Sequence, residues 1–213
     1  MDSLLTSKNS MPHYDLFPTR IYKYNLDVTD LKAYMLDRYN SYKDHSVNET
    51  PSGWNCNVRT EYDSAFPKHL KEYYNTILRQ FKEDIGLKHR PYIDEIWMNA
   101  YEESHFQEPH SHLPGFFSAV HYICYDPKVH SPTVFLNPQM DVYSFMFDDD
   151  FMDVKKNHHL KESDQFDVVE GDLIIFPSHL KHFVNKNNTK NLRMTISFNI
   201  NKIAEDTRRV FAQ

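Results

Sequence analysis

The part of the sequence that most limits the fold begins after residue 90, where short segments suited to β-strands follow one another without a helical pattern between them. Each segment is rich in β-branched and aromatic residues, and clusters of proline, asparagine or aspartate separate them. Many short strands without crossover helices predict a sandwich or a jelly roll and argue against a parallel βαβ sheet. The predicted strands are 93–101, 115–125, 133–137, 141–147, 166–169, 172–176 and 192–200.

The first 90 residues predict one strand and two helices that support this β-rich region. Residues 19–26 are rich in β-forming side chains, and a short helix is expected over 30–40, with Thr29 as its cap. From Ser64 onward, apolar residues recur at spacings of three and four as far as Gly86, a plausible C-cap. This spacing predicts a long amphipathic helix that packs on one face of a sheet.

Two polar stretches, 41–62 and 148–165, are predicted to be loops, and the charged composition of the second is that of a surface lid. The fold class is therefore mainly β with flanking helices. We expect a single domain that covers 1–213, with the supporting elements in 1–90, the jelly-roll core in 91–201 and a C-terminal tail in 202–213.

Charge, apolar runs and cysteine content limit the partners, the location and the metal sites that we expect. The chain has a net charge of −6 and no basic stripe, so we expect no nucleic-acid partner. No apolar run approaches the roughly 18 residues of a membrane span, and no signal-peptide pattern is visible, so a cytoplasmic location is expected. Cys56 and Cys124 form no CxxC pair, which excludes a cysteine-based zinc site and favours reduced thiols.

Two segments carry candidate metal ligands. His110 and His112 are separated by one residue, so in an extended segment both side chains point to one face and can bind one ion. The second segment runs from Glu170 through a buried strand to His182, with His179 as a competing candidate. Imidazole is a good ligand for iron, zinc, copper and nickel. The alternative is that these are surface or loop histidines, since the chain contains 13.

Strict alternation of apolar and polar side chains marks residues 192–199. The polar face holds one arginine, Arg193, among short hydroxyl and amide side chains that include Thr195. Such a row is typical of a polar pocket wall, although a solvent-facing surface is the simpler alternative. Because a guanidinium presents a rigid fork of donors that matches a carboxylate, both residues are candidates for binding one. Weaker candidates for the pocket wall are Trp97, Asn99, Tyr101, Ser118 and Tyr122.

In their order along the chain, these segments resemble the 2-oxoglutarate/Fe(II) oxygenase superfamily, and within it a family of oxygenases common in marine bacteria and phages. The departures from that family include Leu113, which separates the second histidine from a proline, and His179, which stands where the family has an aromatic residue. The matching residues span most of the chain and are Phe17–Thr19, Trp97–Asn99, His110–His112, Ser118–Tyr122, Gly171–His182 and Arg193–Asn199.

The resemblance implies a double-stranded β-helix (jelly-roll, cupin-like) core and an enzyme that uses Fe(II), 2-oxoglutarate and O2. Oxidative decarboxylation of 2-oxoglutarate to succinate would be coupled to oxidation of a substrate, by default hydroxylation. A phage-encoded protein of this kind would act in the host cytoplasm. By resemblance, the metal ligands are His110, His112 and His182, and the residues that bind 2-oxoglutarate are Arg193, Thr195, Asn99 and Tyr122.

The second metal ligand stays open, because the superfamily usually has an aspartate or glutamate two residues after the first histidine. This chain has His112 at that place, and we prefer it to Glu108 or Asp126. Two other functions compete, namely a three-histidine cupin dioxygenase that needs no 2-oxoglutarate and a non-catalytic jelly-roll binding module. Arg193, eleven residues after His182, discriminates against both. The substrate would be an unidentified small molecule or peptide, and a homodimer is compatible with the sequence.

Overall fold

The computed structural model describes residues 18–42, 59–62, 68–139 and 161–202. Its strands pair antiparallel and form two sheets, one with the strand order β1-β8-β5-β10-β3-β2 and one with the order β4-β9-β6-β7. The elements are β1 (Tyr22–Asn25), α1 (Thr29–Tyr42), β2 (Arg59–Tyr62), α2 (Lys68–Ile85), β3 (Pro91–Tyr101), β4 (Gln107–His110), β5 (Phe117–Cys124), β6 (Thr133–Leu136), β7 (Ser163–Asp164), β8 (Asp172–Pro177), β9 (His182–Val184) and β10 (Arg193–Lys202).

From β4 onward the chain passes back and forth between the two sheets, which is the connectivity of a jelly roll. The predicted fold class, mainly β with flanking helices around a double-stranded β-helix core, is confirmed. Among the described residues, no helix combines the length and the apolar character needed to cross a membrane.

The two helices cover the outer face of the six-stranded sheet. On α2, Tyr74, Leu78 and Phe81 lie on one side and are buried, as the three- and four-residue spacing predicted. They belong to one apolar cluster with α1 and with Ile96 and Phe198 of the sheet. Each large apolar side chain buried in this way contributes about 1.5–3 kcal/mol. The helices therefore fix the sheet from outside and leave its other face to the second sheet.

The ends of the helices are set by local hydrogen bonds. Gly86 has φ +72°, and the bonds from its N–H to the Glu83 carbonyl (3.2 Å) and from the Leu87 N–H to the Lys82 carbonyl (2.9 Å) end α2 as predicted. At the start of α1, Thr29 lies within the helix and is not its cap. The Asp27 carboxylate accepts hydrogen bonds from the Thr29 N–H (2.9 Å) and hydroxyl (2.7 Å).

Several strand and loop predictions are wrong. Residues 166–169 form no strand, because Phe166 and Val168 pack into an apolar cluster without joining a ladder. Conversely, short strands lie in both predicted loops, since β2 falls within 41–62 and β7 within 148–165. The predicted strand 141–147 lies outside the described residues.

Strands β4 and β9 were not predicted, although both carry histidines of interest. Strand β4 contains Pro109, which reads as a strand breaker but is tolerated here beside an irregularity in the register with β9. Strand β9 is only three residues long, His182–Val184, so it offers no alternation to detect. Both strands belong to the smaller sheet.

The alternation along β10 has the orientation that the sequence predicts for a pocket wall. Met194, Ile196 and Phe198 are in the apolar cluster under the helices, whereas Arg193 and Thr195 face a cavity between the sheets. This orientation places polar side chains of the larger sheet opposite the histidines of the smaller one.

Candidate active site

Three histidines converge in the cavity between the sheets. Their nearest ring nitrogens all lie within 4.8 Å of one another, and among the described residues this is the group of His, Cys, Asp and Glu side chains suited to hold a metal ion. His110 on β4 and His182 on β9 are direct partners in the antiparallel register, which explains their ring separation of 4.3 Å. His112 follows two residues after His110, at 4.9 Å from its ring and 5.3 Å from that of His182.

Backbone carbonyls fix the orientation of two of these rings. The Nδ1 of His110 lies 2.7 Å from the Glu108 carbonyl, and the Nδ1 of His182 lies 3.0 Å from the Leu180 carbonyl. A carbonyl can only accept a hydrogen bond, so each Nδ1 carries the proton. Each Nε2 then carries no proton and presents a lone pair, which is the arrangement found in metal-binding histidines.

The cavity keeps the three imidazoles neutral. Burial lowers the pKa of His110, and it lowers the pKa of His112 to about 3, with the neighbouring His110 adding to the effect. The pKa of His182 lies well below its ordinary value, chiefly through burial and then through the other two histidines. Neutral imidazole is the form that binds a metal ion, so the site is ready to do so at neutral pH without first losing protons.

Aromatic rings enclose the histidines. The Phe176 ring lies 4.8 Å from His182, and the Trp97 ring lies 5.3 Å from His112. A backbone hydrogen bond of 2.9 Å from the His112 N–H to the Ser178 carbonyl ties the loop after β4 to the loop after β8. The cluster is thus held by both sheets and by the loops at one end of the barrel.

The alternative ligands named from the sequence do not join this group. Glu108 contributes its backbone carbonyl to His110, and its carboxylate is not among the grouped ligand atoms. Asp126 lies after β5, where its N–H donates to His130 and its carboxylate accepts from the Lys128 N–H. His179 is exposed and also lies outside the cluster.

Arg193 lies in the same cavity and is almost completely buried, at 2% exposure. Its guanidinium carbon lies 4.5 Å from the Tyr101 ring centroid and 5.5 Å from that of Tyr122, and its Nε donates to the Ser131 carbonyl at 3.2 Å. Within the described part of the chain, neither Nη1 nor Nη2 has a hydrogen-bond partner. A buried cation with two unused donor groups is ready to receive an anion, and a carboxylate matches its fork.

The remaining predicted ligands divide into two groups. Asn99 and Thr195 line the cavity beside Arg193. Tyr122 is not among the lining residues, because its hydroxyl bonds to the Thr133 Oγ1 (2.9 Å) and accepts from the Thr133 N–H (3.0 Å). Its ring supports Arg193, while Thr133 itself reaches the cavity.

Some cavity residues were not found from the sequence. They come from both sheets and include Gln107, Thr133, Phe176 and Val184. Ser197 also lines the cavity, on the polar face of β10 that the sequence predicted as a pocket wall. Gln107 and Thr133 lie on four-residue strands, and their inward direction depends on how the two sheets face each other.

Comparisons with known proteins agree with this site. Residues 95–199 match the family described as "Putative 2OG-Fe(II) oxygenase", a range that includes the three histidines and Arg193. No curated protein sequence matches the chain.

Solved structures share the fold at low sequence identity. A Pseudomonas putida prolyl-4-hydroxylase is 13% identical with a TM-score of 0.55, covering 87% of this chain and 94% of its own. HygX from Streptomyces hygroscopicus, solved with nickel, 2-oxoglutarate and hygromycin B bound, is 9% identical with a TM-score of 0.58, covering 87% and 84%. The epimerase SnoN from nogalamycin biosynthesis is 12% identical with a TM-score of 0.60, covering 86% and 77%.

The histidine cluster and the buried arginine therefore lie in the range 95–199 that matches an oxygenase family, and on a fold that solved oxygenases share. The enzymes of this group are oxidoreductases that use Fe(II), 2-oxoglutarate and O2. A cupin dioxygenase without 2-oxoglutarate and a non-catalytic binding module are not favoured. The chain belongs to the 2-oxoglutarate/Fe(II)-dependent oxygenase superfamily.

Proposed function

We propose that His110, His112 and His182 hold the Fe(II) ion and that Arg193 binds the far carboxylate of 2-oxoglutarate, in an enzyme that hydroxylates its substrate. The observation that carries the proposal is the buried guanidinium with two unpartnered Nη groups in the cavity that also contains the histidine cluster. A metal site that acted without 2-oxoglutarate would have no use for it, and a buried cation without an anion is costly.

The donor set suits iron. Three unprotonated imidazole nitrogens would hold the ion and would leave coordination positions for a chelating 2-oxo acid and for oxygen. When bound, Fe(II) supplies the oxygen chemistry that couples loss of CO2 from 2-oxoglutarate to oxidation of the substrate.

The side chains of the cavity divide the remaining tasks. Arg193 neutralises the far carboxylate of the co-substrate, and the neighbouring Thr195 hydroxyl can donate to the same group. The rings of Tyr101 and Tyr122 keep the guanidinium in place. Phe176 and Val184 contribute apolar surface that excludes water from the metal-binding end.

The substrate in this proposal is a small molecule or a peptide side chain. Trp97 lies beside His112 in the cavity wall, and Leu113 and Phe116, in the loop that follows His112, are exposed at 68% and 51%. This apolar rim offers contacts to a substrate next to the metal site. The buried free thiol of Cys124 agrees with a reducing compartment, and we propose that the enzyme acts in the cytoplasm.

The test is to load the purified protein with Fe(II) without oxygen and to measure succinate formed from 2-oxoglutarate after admitting air. We expect slow, substrate-independent turnover in the native protein and none in His182→Ala or Arg193→Met. His179→Ala is the matched control, because this exposed histidine lies three residues from His182, and it should keep native activity. Equal succinate formation by all four proteins would refute the assigned roles.

A further inference from the structure

The proposed metal site differs from a site with a ligating carboxylate in its charge. His110, His112 and His182 form the grouped ligands among the described residues, and no carboxylate is part of the group. A histidine binds a metal ion through its neutral imidazole, so these three ligands bring no negative charge. A divalent ion bound here would keep its full charge of two, whereas one carboxylate ligand would leave a net charge of one.

A further positive charge lies in the same cavity. The Arg193 guanidinium is 2% exposed, and among the described residues its Nη groups are not paired with any acceptor. Its contacts are two tyrosine rings and one backbone carbonyl. Without an anion, a metal ion would therefore enter a cavity whose described residues include a buried cation and provide three neutral ligands.

Electrostatic repulsion between the metal ion and Arg193 is weakly screened in such an enclosed space. 2-Oxoglutarate carries two negative charges and would contact both centres. It therefore replaces the missing ligand charge and relieves the repulsion at the same time. The binding energies of metal and co-substrate then cannot be independent, and each must raise the affinity for the other by the same factor.

We propose that the three-histidine site is filled cooperatively: the protein holds its metal weakly alone and tightly only together with 2-oxoglutarate, because the co-substrate supplies the negative charge that His112 does not. This rests on the ligand roles proposed above. The consequence is that the level of 2-oxoglutarate controls metal retention as well as turnover. A drop in 2-oxoglutarate would release the metal instead of leaving an idle metal-loaded enzyme.

The experiment measures metal affinity and not activity. Ni2+ is titrated calorimetrically into the full-length protein at pH 8, with and without saturating 2-oxoglutarate, and the complex of Ni2+ with free 2-oxoglutarate is measured separately and subtracted. The ratio of the two dissociation constants is the coupling factor. The coupling factor is compared among the native protein, His112→Asp and His112→Asn. The two variants lose the same imidazole and differ from each other almost only in charge.

We expect a coupling factor on the order of 100 in the native protein. His112→Asn should bind Ni2+ more weakly but keep a similar factor, because the site stays neutral. His112→Asp should show a factor about tenfold smaller, because its carboxylate already supplies a negative charge. A factor in His112→Asp equal to or larger than that in His112→Asn overturns the inference. If circular dichroism shows that either variant is unfolded, the pair His112→Glu and His112→Gln gives the same comparison.

The same titrations distinguish a failure of the proposed ligand roles from a failure of the coupling alone. If the native protein binds no Ni2+ with 2-oxoglutarate present, or if His182→Ala binds it equally well, the ligand assignment itself is wrong and the coupling fails with it. If Ni2+ binding depends on His182 but the charge of residue 112 does not change the coupling factor, only the further inference fails.

Discussion

The buried guanidinium of Arg193 makes a specific prediction about stability. In the absence of a carboxylate, its Nη groups are desolvated and unpaired within the described residues, while its guanidinium carbon lies over two tyrosine rings. Methionine has a similar length and no polar hydrogen to satisfy. Arg193→Met should therefore stabilise the ligand-free protein, although it removes the proposed anchor for 2-oxoglutarate.

The magnitude follows from the contacts that are lost and the penalties that are relieved. Two unsatisfied donor groups cost about 2–6 kcal/mol together. The ring contacts and the hydrogen bond to the Ser131 carbonyl (3.2 Å) return about 2–4 kcal/mol. At the middle of both ranges the balance favours methionine by about 1 kcal/mol, the lower end of the range seen when buried ionic groups are replaced by apolar ones. For a chain of 213 residues, each kcal/mol corresponds to about 2–4 °C in Tm.

The assay is thermal unfolding in the presence of Ni2+, with and without 2-oxoglutarate. Without it, Arg193→Met should melt about 2–4 °C above the native protein. With 2-oxoglutarate at a hundredfold its Kd, the native protein gains about 2.7 kcal/mol. The variant keeps only the contact to the metal and gains much less, so the order reverses. The exposed Arg79 provides the control, because Arg79→Met should change neither curve. A variant that is less stable without 2-oxoglutarate, or that gains as much from it, would refute the reasoning.

Three further changes have expected outcomes. Burial lowers the pKa of His121 to about 4, below the 6.5 of an unfolded histidine, so the unfolded state takes up a proton first as the pH falls. The native protein should therefore lose unfolding free energy that His121→Gln keeps. We expect this additional loss to be ~2 kcal/mol by pH 5 and ~3 kcal/mol by pH 4 in urea unfolding. Gly171→Ala should cost roughly 3 kcal/mol, because φ is +90° and the new Cβ would lie 2.6 Å from the Leu26 carbonyl oxygen. Tyr122→Phe should cost about 1–3 kcal/mol and raise the KM for 2-oxoglutarate, because the buried Thr133 N–H loses its acceptor and the wall beside Arg193 loosens.

Each of these has a contrary result. Parallel pH curves for the native protein and His121→Gln would show that His121 is not buried as a neutral ring against Tyr74, whose hydroxyl lies 2.9 Å away. Gly86→Ala is the matched control for Gly171→Ala, since φ there is +72° but nothing lies within 4 Å of the added Cβ; equal losses at the two glycines would contradict the clash. An unchanged KM in Tyr122→Phe would mean that the Tyr122–Thr133 pair does not support the co-substrate end of the cavity.

The sequence carried more information about the ligands than about the strands that hold them. The polar face of β10 was readable because residues 192–199 alternate strictly and one isolated arginine stands among short polar groups. His110 and His112 were readable from their spacing. That they meet His182 was predicted only through the family resemblance, because the contact depends on the β4–β9 pairing between one strand that contains a proline and another of three residues.

The strand wrongly predicted at 166–169 has a similar origin. Phe166 and Val168 bury apolar side chains without ladder hydrogen bonds, so their pattern imitates a strand. Tyr122, expected from the resemblance to bind 2-oxoglutarate, reaches across to the opposite sheet, where its hydroxyl bonds to Thr133. Alternation along one strand predicts which face a side chain occupies, whereas the contacts at its tip depend on the opposite sheet.

The most direct measurement is a crystal structure of the protein grown without oxygen with Fe(II) and 2-oxoglutarate, with anomalous scattering recorded at the iron edge. The account predicts one iron peak bonded to the Nε2 atoms of His110, His112 and His182, and a 2-oxoglutarate whose far carboxylate is paired with the Nη groups of Arg193. Iron bound elsewhere, or a co-substrate that leaves Arg193 without a carboxylate, would contradict it.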